Sequence, residues 1–161
     1  MTIRVGQGFD VHAWGQTASF ITLGGVRIPY HRAIKSHSDG DLVLHALCDA
    51  LLGAAGLGDI GEHFPDHDMQ YKDAASTVFL ASVLALLRHH YWAIANIDIT
   101  IMTESPRLMH YKVAMRANLA DLLGIEQQQV NIKATTMESL GSIGRKEGIA
   151  AMAVVLLTTS R

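Results

Sequence analysis

The segment Asp39–Leu57 constrains this chain more than any other. Leu42, Val43, Leu44, Ala46, Leu47, Ala50, Leu51, Leu52, Ala54 and Ala55 put apolar side chains on nearly every face of a helix. A helix with no polar face must be buried, so the remaining elements have to enclose it. Its start is marked by Ser38 at the expected N-cap, with Asp41 three residues later as a capping-box partner.

The enclosing elements follow from periodicity and turn chemistry. Ile3–Trp14 and Ser19–Ile28 read as two strands, with a turn at Gly15-Gln16 between them and a bulge or bend at Gly24-Gly25 inside the second. Asp59–Asp68 is polar, contains Pro65 and reads as a loop. Asp73–His90 returns to helical spacing through Val78, Leu80, Leu84 and Leu87. Ile94–Met102 alternates as a strand, with Ile97, Ile99 and Ile101 on one face. Ser105-Pro106 supplies an N-cap followed by Pro at the first helical position, opening a helix that stops near Gly124. Val130–Thr135 and Ile149–Leu157 complete the set as strands. About five strands and three substantial helices predict an α+β fold, one mixed β-sheet covered by helices. No linker, low-complexity stretch or internal repeat divides the chain, so residues 1–161 are expected to form a single domain.

Composition narrows the partners. Hydrophobic residues make up 49% and charged residues 17%, against roughly 25% charged in typical soluble domains. This excludes disorder and suggests that part of the surface is hidden in an oligomer. A net charge of −2 leaves no basic field for nucleic acid or anionic lipid. The lone Cys48 can make neither an intrachain disulfide nor a Cys-rich zinc site. Met1–Gly6 lacks the regions of a signal peptide, and no uninterrupted apolar run is long enough to span a membrane. The expected location is cytoplasmic.

Nine histidines in so apolar a chain point to chemistry. Asp10-x-His12 on a strand projects a carboxylate and an imidazole to the same face, where they can converge on one ion. His45, on the buried helix, is the best candidate for a third ligand, since an unpaired ring there would cost roughly 1–3 kcal/mol; the bland alternative is a surface Asp–His pair and a capped histidine. Three such ligands leave a catalytic zinc one open position. Asp41 and Asp49, at i−4 and i+4 of His45, are candidates to orient its second nitrogen. The run His37-Ser38-Asp39-Gly40-Asp41 is either an anion site at a helix start or a plain N-cap with acidic neighbours. Thr135–Gly148 combines hydroxyls, Glu138, glycines, Arg145 and Lys146, which suits a polyphosphate with a divalent ion. It is no P-loop, lacking Gly-Lys-Ser/Thr, and Gly6-x-Gly8 lacks the third glycine of a dinucleotide fingerprint. Cys48 reads as core, and no Gly-x-Ser-x-Gly elbow supports a serine hydrolase.

In order and spacing, GQGFDVHAW, LGGVRIPY, KSHSDGDLVLHALCDALLGAAGLGDIGEHFPD, NIDITIM and VNIKATTMESLGSIGRKEGIAA resemble the 2-C-methyl-D-erythritol 2,4-cyclodiphosphate synthase family, from about Ile3 to the last strand. The resemblance implies a phosphorus-oxygen lyase of the non-mevalonate isoprenoid pathway. Such an enzyme converts 4-diphosphocytidyl-2-C-methyl-D-erythritol 2-phosphate to the cyclic diphosphate and CMP. It further implies zinc on Asp10, His12 and His45, and a second divalent ion, Mg²⁺ or Mn²⁺, on Glu138. His37 and Thr136 match the groups that stabilise the transition state, with Ser38 on the substrate. Asp59, Ile60, Gly61, Phe64, Pro65, Asp66, His67 and Asp68 match the wall around the methylerythritol. Thr103, Glu104, Ser105, Pro106, Arg107, Leu108 and Met109, with Thr135 and Arg145, match the cytidine diphosphate pocket.

The resemblance also implies a homotrimer with active sites between subunits. In some members an axial cavity holds an isoprenoid diphosphate against inward arginines, Arg145 and Glu147 being the matching positions here, with Phe9 near them. Ser142 replaces a usually aromatic residue in the substrate-binding loop and alters that cavity's lining. Arg107 stands where lysine is common. In some organisms the pathway's cytidylyltransferase is fused to the synthase. Two other readings of the same residues are a zinc-dependent phosphohydrolase and a non-catalytic trimeric isoprenoid-diphosphate-binding protein.

Overall fold

The computed structural model describes residues 2–65 and 67–159. In chain order these form β1 (Ile3–Thr17), β2 (Phe20–Leu23), β3 (Val26–Pro29), β4 (Arg32–Ile34), α1 (Leu42–Ala55), α2 (Ile60–His63), α3 (Ser76–His89), β5 (Trp92–Met102), α4 (Lys112–Leu123), β6 (Val130–Thr135), α5 (Gly141–Gly144) and β7 (Gly148–Thr159). Five strands make one mixed sheet in the order β4-β1-β7-β5-β6, with β5 and β6 parallel and the other pairs antiparallel. Alternation sorts its two faces. Ile97, Ile99, Ile101, Val130, Ile132, Ile149, Ala151, Ala153, Val155 and Leu157 are buried on the inner one.

As its sequence requires, α1 lies in the middle of the molecule, with ten of its residues buried. It packs on β1 and β7 and is backed by α3. Gly6 and Gly8 make this possible. A Cβ on Gly6 would overlap the Ala50 carbonyl oxygen, and one on Gly8 the Ala46 carbonyl oxygen. Helix backbone therefore rests directly on strand backbone, and side chains further along the same strand face must emerge beside the helix start.

Five local expectations change. The stretch read as a second strand is a separate two-stranded hairpin, β2–β3, and Gly24-Gly25 is its turn. Both glycines have positive φ, 56° and 75°, the requirement of a tight hairpin turn whose twist matches its strands. No turn forms at Gly15-Gln16, because β1 continues to Thr17 and pairs with β4 through a register shift. The N-cap of α1 is Asp41, not Ser38. Ser105-Pro106 does not open α4, which begins at Lys112. Instead the Ser105 hydroxyl lies 3.1 Å from the Tyr30 hydroxyl, held to the hairpin side of the molecule. The expected loop Asp59–Asp68 also contains the short α2, capped by Asp59.

On the outer face of the sheet Ile3, Val5, Phe9, Val11, Met152 and Val154 remain exposed. Among the described residues no helix is long and apolar enough to cross a membrane.

Candidate active site

Beyond Gly6 and Gly8 on the same face of β1 come Asp10 and His12, which emerge where α1 begins. His45, in the first turn of α1, meets them there. Asp10 Oδ2 lies 3.0 Å from His12 Nε2 and 3.1 Å from His45 Nδ1. The three donor atoms fall within 4.8 Å of one another, the one such group among the described residues.

The hydrogen bonds behind these rings test whether the group suits a metal ion. His12 Nδ1 is 2.9 Å from the Lys35 carbonyl oxygen, which can only accept, so Nδ1 carries the proton and a neutral ring turns a bare Nε2 toward Asp10. Two ring nitrogens then face one carboxylate oxygen, an arrangement that needs positive charge at its centre. One divalent cation, or protons on the rings, can supply it. Two imidazoles and a carboxylate are a donor set zinc favours, so the residues fit.

The electrostatics agree. Burial pushes the Asp10 carboxyl up, but the hydrogen bonds and charges of His12 and His45 outweigh this and hold it at about 2. The bond to Asp10 raises His12.

The carboxylates expected to orient His45 are otherwise engaged. Asp41 is fully buried and accepts N–H groups from Gly24, Gly25 and Leu44. Asp49 accepts the Ile60 N–H at 2.7 Å and so anchors α2. His45 Nε2 instead lies 2.8 Å from the Ser76 hydroxyl and 3.3 Å from that of Ser38. Ser76 escaped the sequence reading because no helical or strand spacing links it to a residue 31 positions earlier.

A cavity of about 460 Å³ opens beside the triad. It gathers the expected Asp10, His12, His37, Ser38, His45, Asp49, Ile60, Gly61, Phe64 and Pro65, and adds the unforeseen Ser36, Met69, Tyr71, Lys72 and Phe79. Phe64 packs on Phe79 and edge-on to Tyr71, which makes one wall aromatic. Of this wall the family resemblance names Phe64 alone; Tyr71 and Phe79 join it from later in the chain. Asp59 and Asp68 serve as caps, of α2 and of the turn Met69–Tyr71. Neither they nor His67 line the cavity, and Asp66 lies outside the described residues.

A second cavity, about 350 Å³, is lined by Thr103, Glu104, Pro106, Arg107, Leu108, Met109 and Thr135 as expected, without Ser105. Lys112, Ala134 and Thr136 join it, so within one chain Thr136 lines a different cavity from His37. Glu104 accepts the Met137 N–H at 2.7 Å, tying the two lining loops together. Asp10 and Ile101 both pair with Ala151, so both cavities open at the same end of the sheet. Two strand spacings separate those residues, about 10 Å, and the cavities have no lining residue in common.

Glu138, Ser142 and Arg145 line neither cavity. Glu138 is exposed at φ 52°, its N–H 3.3 Å from the Thr136 hydroxyl. Arg145 is exposed and paired with Glu147 at 3.1 Å.

Fold and site define an α+β protein that presents a metal-capable Asp–His–His group beside an aromatic-walled cavity. The model of the YgbB family matches residues 3–158. The 2-C-methyl-D-erythritol 2,4-cyclodiphosphate synthase of Thioalkalivibrio sulfidiphilus is 55% identical over 155 residues, 96% of each chain. Its namesake from Xylella fastidiosa is 52% identical over 157 residues, 98% of this chain and 89% of that one. Among solved structures, IspF of Plasmodium falciparum in complex with CDP superposes with TM-score 0.86 at 34% identity, covering 99% of this chain and 97% of that one. The bifunctional IspDF of Campylobacter jejuni superposes with TM-score 0.93 at 46% identity, covering 98% of this chain and 42% of the longer one. The chain belongs to the YgbB family.

Proposed function

We propose that this protein is a 2-C-methyl-D-erythritol 2,4-cyclodiphosphate synthase, closing the 2-phosphate of 4-diphosphocytidyl-2-C-methyl-D-erythritol onto its own diphosphate. The observation that carries this reading is the Asp10–His12–His45 group beside a polyol-sized cavity, at the same sheet end as a second, loop-lined one. A relative solved with CDP supports a nucleotide in the second cavity.

In the reaction an oxygen of the 2-phosphate attacks the β-phosphorus. The bond from that phosphorus to the bridging oxygen breaks, and CMP leaves with the electron pair. Because nucleophile and electrophile belong to one substrate, the enzyme's task is to fold it and neutralise its charge. Zinc on Asp10, His12 and His45, with Mg²⁺ or Mn²⁺ on Glu138, would supply Lewis-acid charge to phosphate oxygens. His37 and Ser38 donate to the phosphates from the first cavity, and Thr136 does so from the second. The aromatic wall and α2 enclose the methylerythritol. Arg107 and Lys112 neutralise the nucleotide's phosphates, while Thr103–Met109 and Thr135 shape its pocket.

The apolar outer sheet face and two cavities without a common residue support an assembly of copies, and the family resemblance makes it a homotrimer whose sites combine neighbouring copies. That arrangement would bring Glu138, Ser142 and Arg145 of one copy to the site or axis of another. The protein acts in the cytoplasm as a single-domain lyase.

The deciding experiment is phosphorus NMR of the purified protein with substrate, Zn²⁺ and Mg²⁺. CMP with a cyclic diphosphate is expected. CMP with an open-chain diphosphate would identify a phosphohydrolase, and no turnover with metal bound would favour a non-catalytic binding protein.

A further inference from the structure

We infer that Ser76 and Asp39 are a positioning pair that determines which nitrogen of His45 is offered to the ion. The inference rests on reading Asp10, His12 and His45 as ligands. Ser76 is the first residue of α3 and is fully buried. Its hydroxyl has one proton to donate and lies against Asp39 Oδ1. Asp39 Oδ2 also accepts the Ser76 N–H at 3.0 Å, and Oδ1 accepts the Asp41 N–H at 3.1 Å. Donors surround that carboxylate, so the hydroxyl proton is committed to it.

The Ser76 oxygen can then only accept from its other neighbour, His45 Nε2 at 2.8 Å. A proton must sit on Nε2, and a neutral imidazole has only one. Nδ1 is therefore the bare nitrogen, and it faces Asp10 Oδ2 at 3.1 Å. Ser38 reinforces the choice only weakly, because its oxygen is 3.3 Å from Nε2 and also accepts from the Gly40 N–H. The Lys35 carbonyl does the same for His12, so both rings are oriented from behind by groups that cannot coordinate the ion. Through Ser76, the docking of α3 becomes a condition for a correctly aimed His45.

The test is Zn²⁺ affinity of the metal-stripped full chain, measured by chelator competition without substrate. Ser76→Ala keeps the backbone bond to Asp39 and removes only the hydroxyl. It should weaken Zn²⁺ about 10–100-fold, with Ser76→Thr restoring most of the loss. Asp39→Asn, which offers an amide donor and frees the hydroxyl proton for Nε2, should weaken Zn²⁺ too, and serves alone if Ser76→Ala does not fold. Combined, the two substitutions should cost no more than the larger single loss, because they break one chain. Unchanged affinity in folded Ser76→Ala, or losses that add in full, would overturn the inference while leaving the ligand reading intact. Wild-type protein that takes up no Zn²⁺ would overturn both.

Discussion

Asp41 has no exposed surface, yet its carboxyl meets the N–H groups of Gly24 at 2.8 Å, Gly25 at 2.7 Å and Leu44 at 3.2 Å. One side chain thus caps α1 and fastens the β2–β3 turn to it. Asp41→Ala would orphan three buried donors and should cost about 2–4 kcal/mol in urea unfolding. The pH dependence has a definite sign. Burial pushes this carboxyl up to about 6 from 3.8, against the pull of the three N–H groups. The folded chain therefore takes up the proton first as pH falls. Its stabilising share is complete below about 3.8 and is lost as pH rises through about 6. The stability gap between wild type and Asp41→Asn should narrow from about pH 4 to about pH 7; a gap indifferent to pH would contradict the assignment. For the ions, His45→Ala should abolish Zn²⁺ uptake, since one of three ligands goes. Glu138→Ala should keep Zn²⁺ and raise the Mg²⁺ needed for turnover. An unchanged Mg²⁺ requirement would exclude Glu138 as the second ligand.

At the scale of elements, the contact between β1 and α1 builds the triad. Glycine at two inward positions brings the helix onto the strand, and the next two inward positions then stand within 3.1 Å of His45 or of each other. A methyl at Gly8 would meet helix backbone, which cannot rotate away. Gly8→Ala should lower stability by about 3 kcal/mol and weaken Zn²⁺ binding by lifting His45 from Asp10. Unfolding at the same urea concentration as wild type would show that the contact tolerates a methyl. The Gly6-x-Gly8 pair, uninformative as a nucleotide motif, thus has a packing role that can be measured.

For the whole molecule, an apolar sheet face left uncovered by the chain's own helices calls for a partner. Val5 is 66% exposed and Phe9 49%, on the same strand face. Light scattering should report a trimer. A charge at the centre of the face, as in Val154→Asp, should dissociate it and abolish turnover. Full activity from a monomer would refute the shared site.

The sequence alone pointed to the buried central helix, the alternating strand Ile97–Ile101 and Asp10, His12 and His45 as candidate ligands, which the fold brings together in one metal-capable group. The helix and the strand are periodicities and Asp10-x-His12 is a short spacing, all carried by neighbours along the chain, whereas His45, 35 residues from Asp10, is named for its place on the buried helix and for the family resemblance. Only the tertiary structure decided the sheet order, the hairpin at Gly24-Gly25, the cap at Asp41 and the partners of His45. Ser38 and Asp41 are both good N-caps by type, and the choice between them came from Gly24 and Gly25, 17 and 16 residues away. Ser76 reaches His45 across 31 residues. Such pairings depend on where helices and strands come to rest against one another, and no local propensity encodes that.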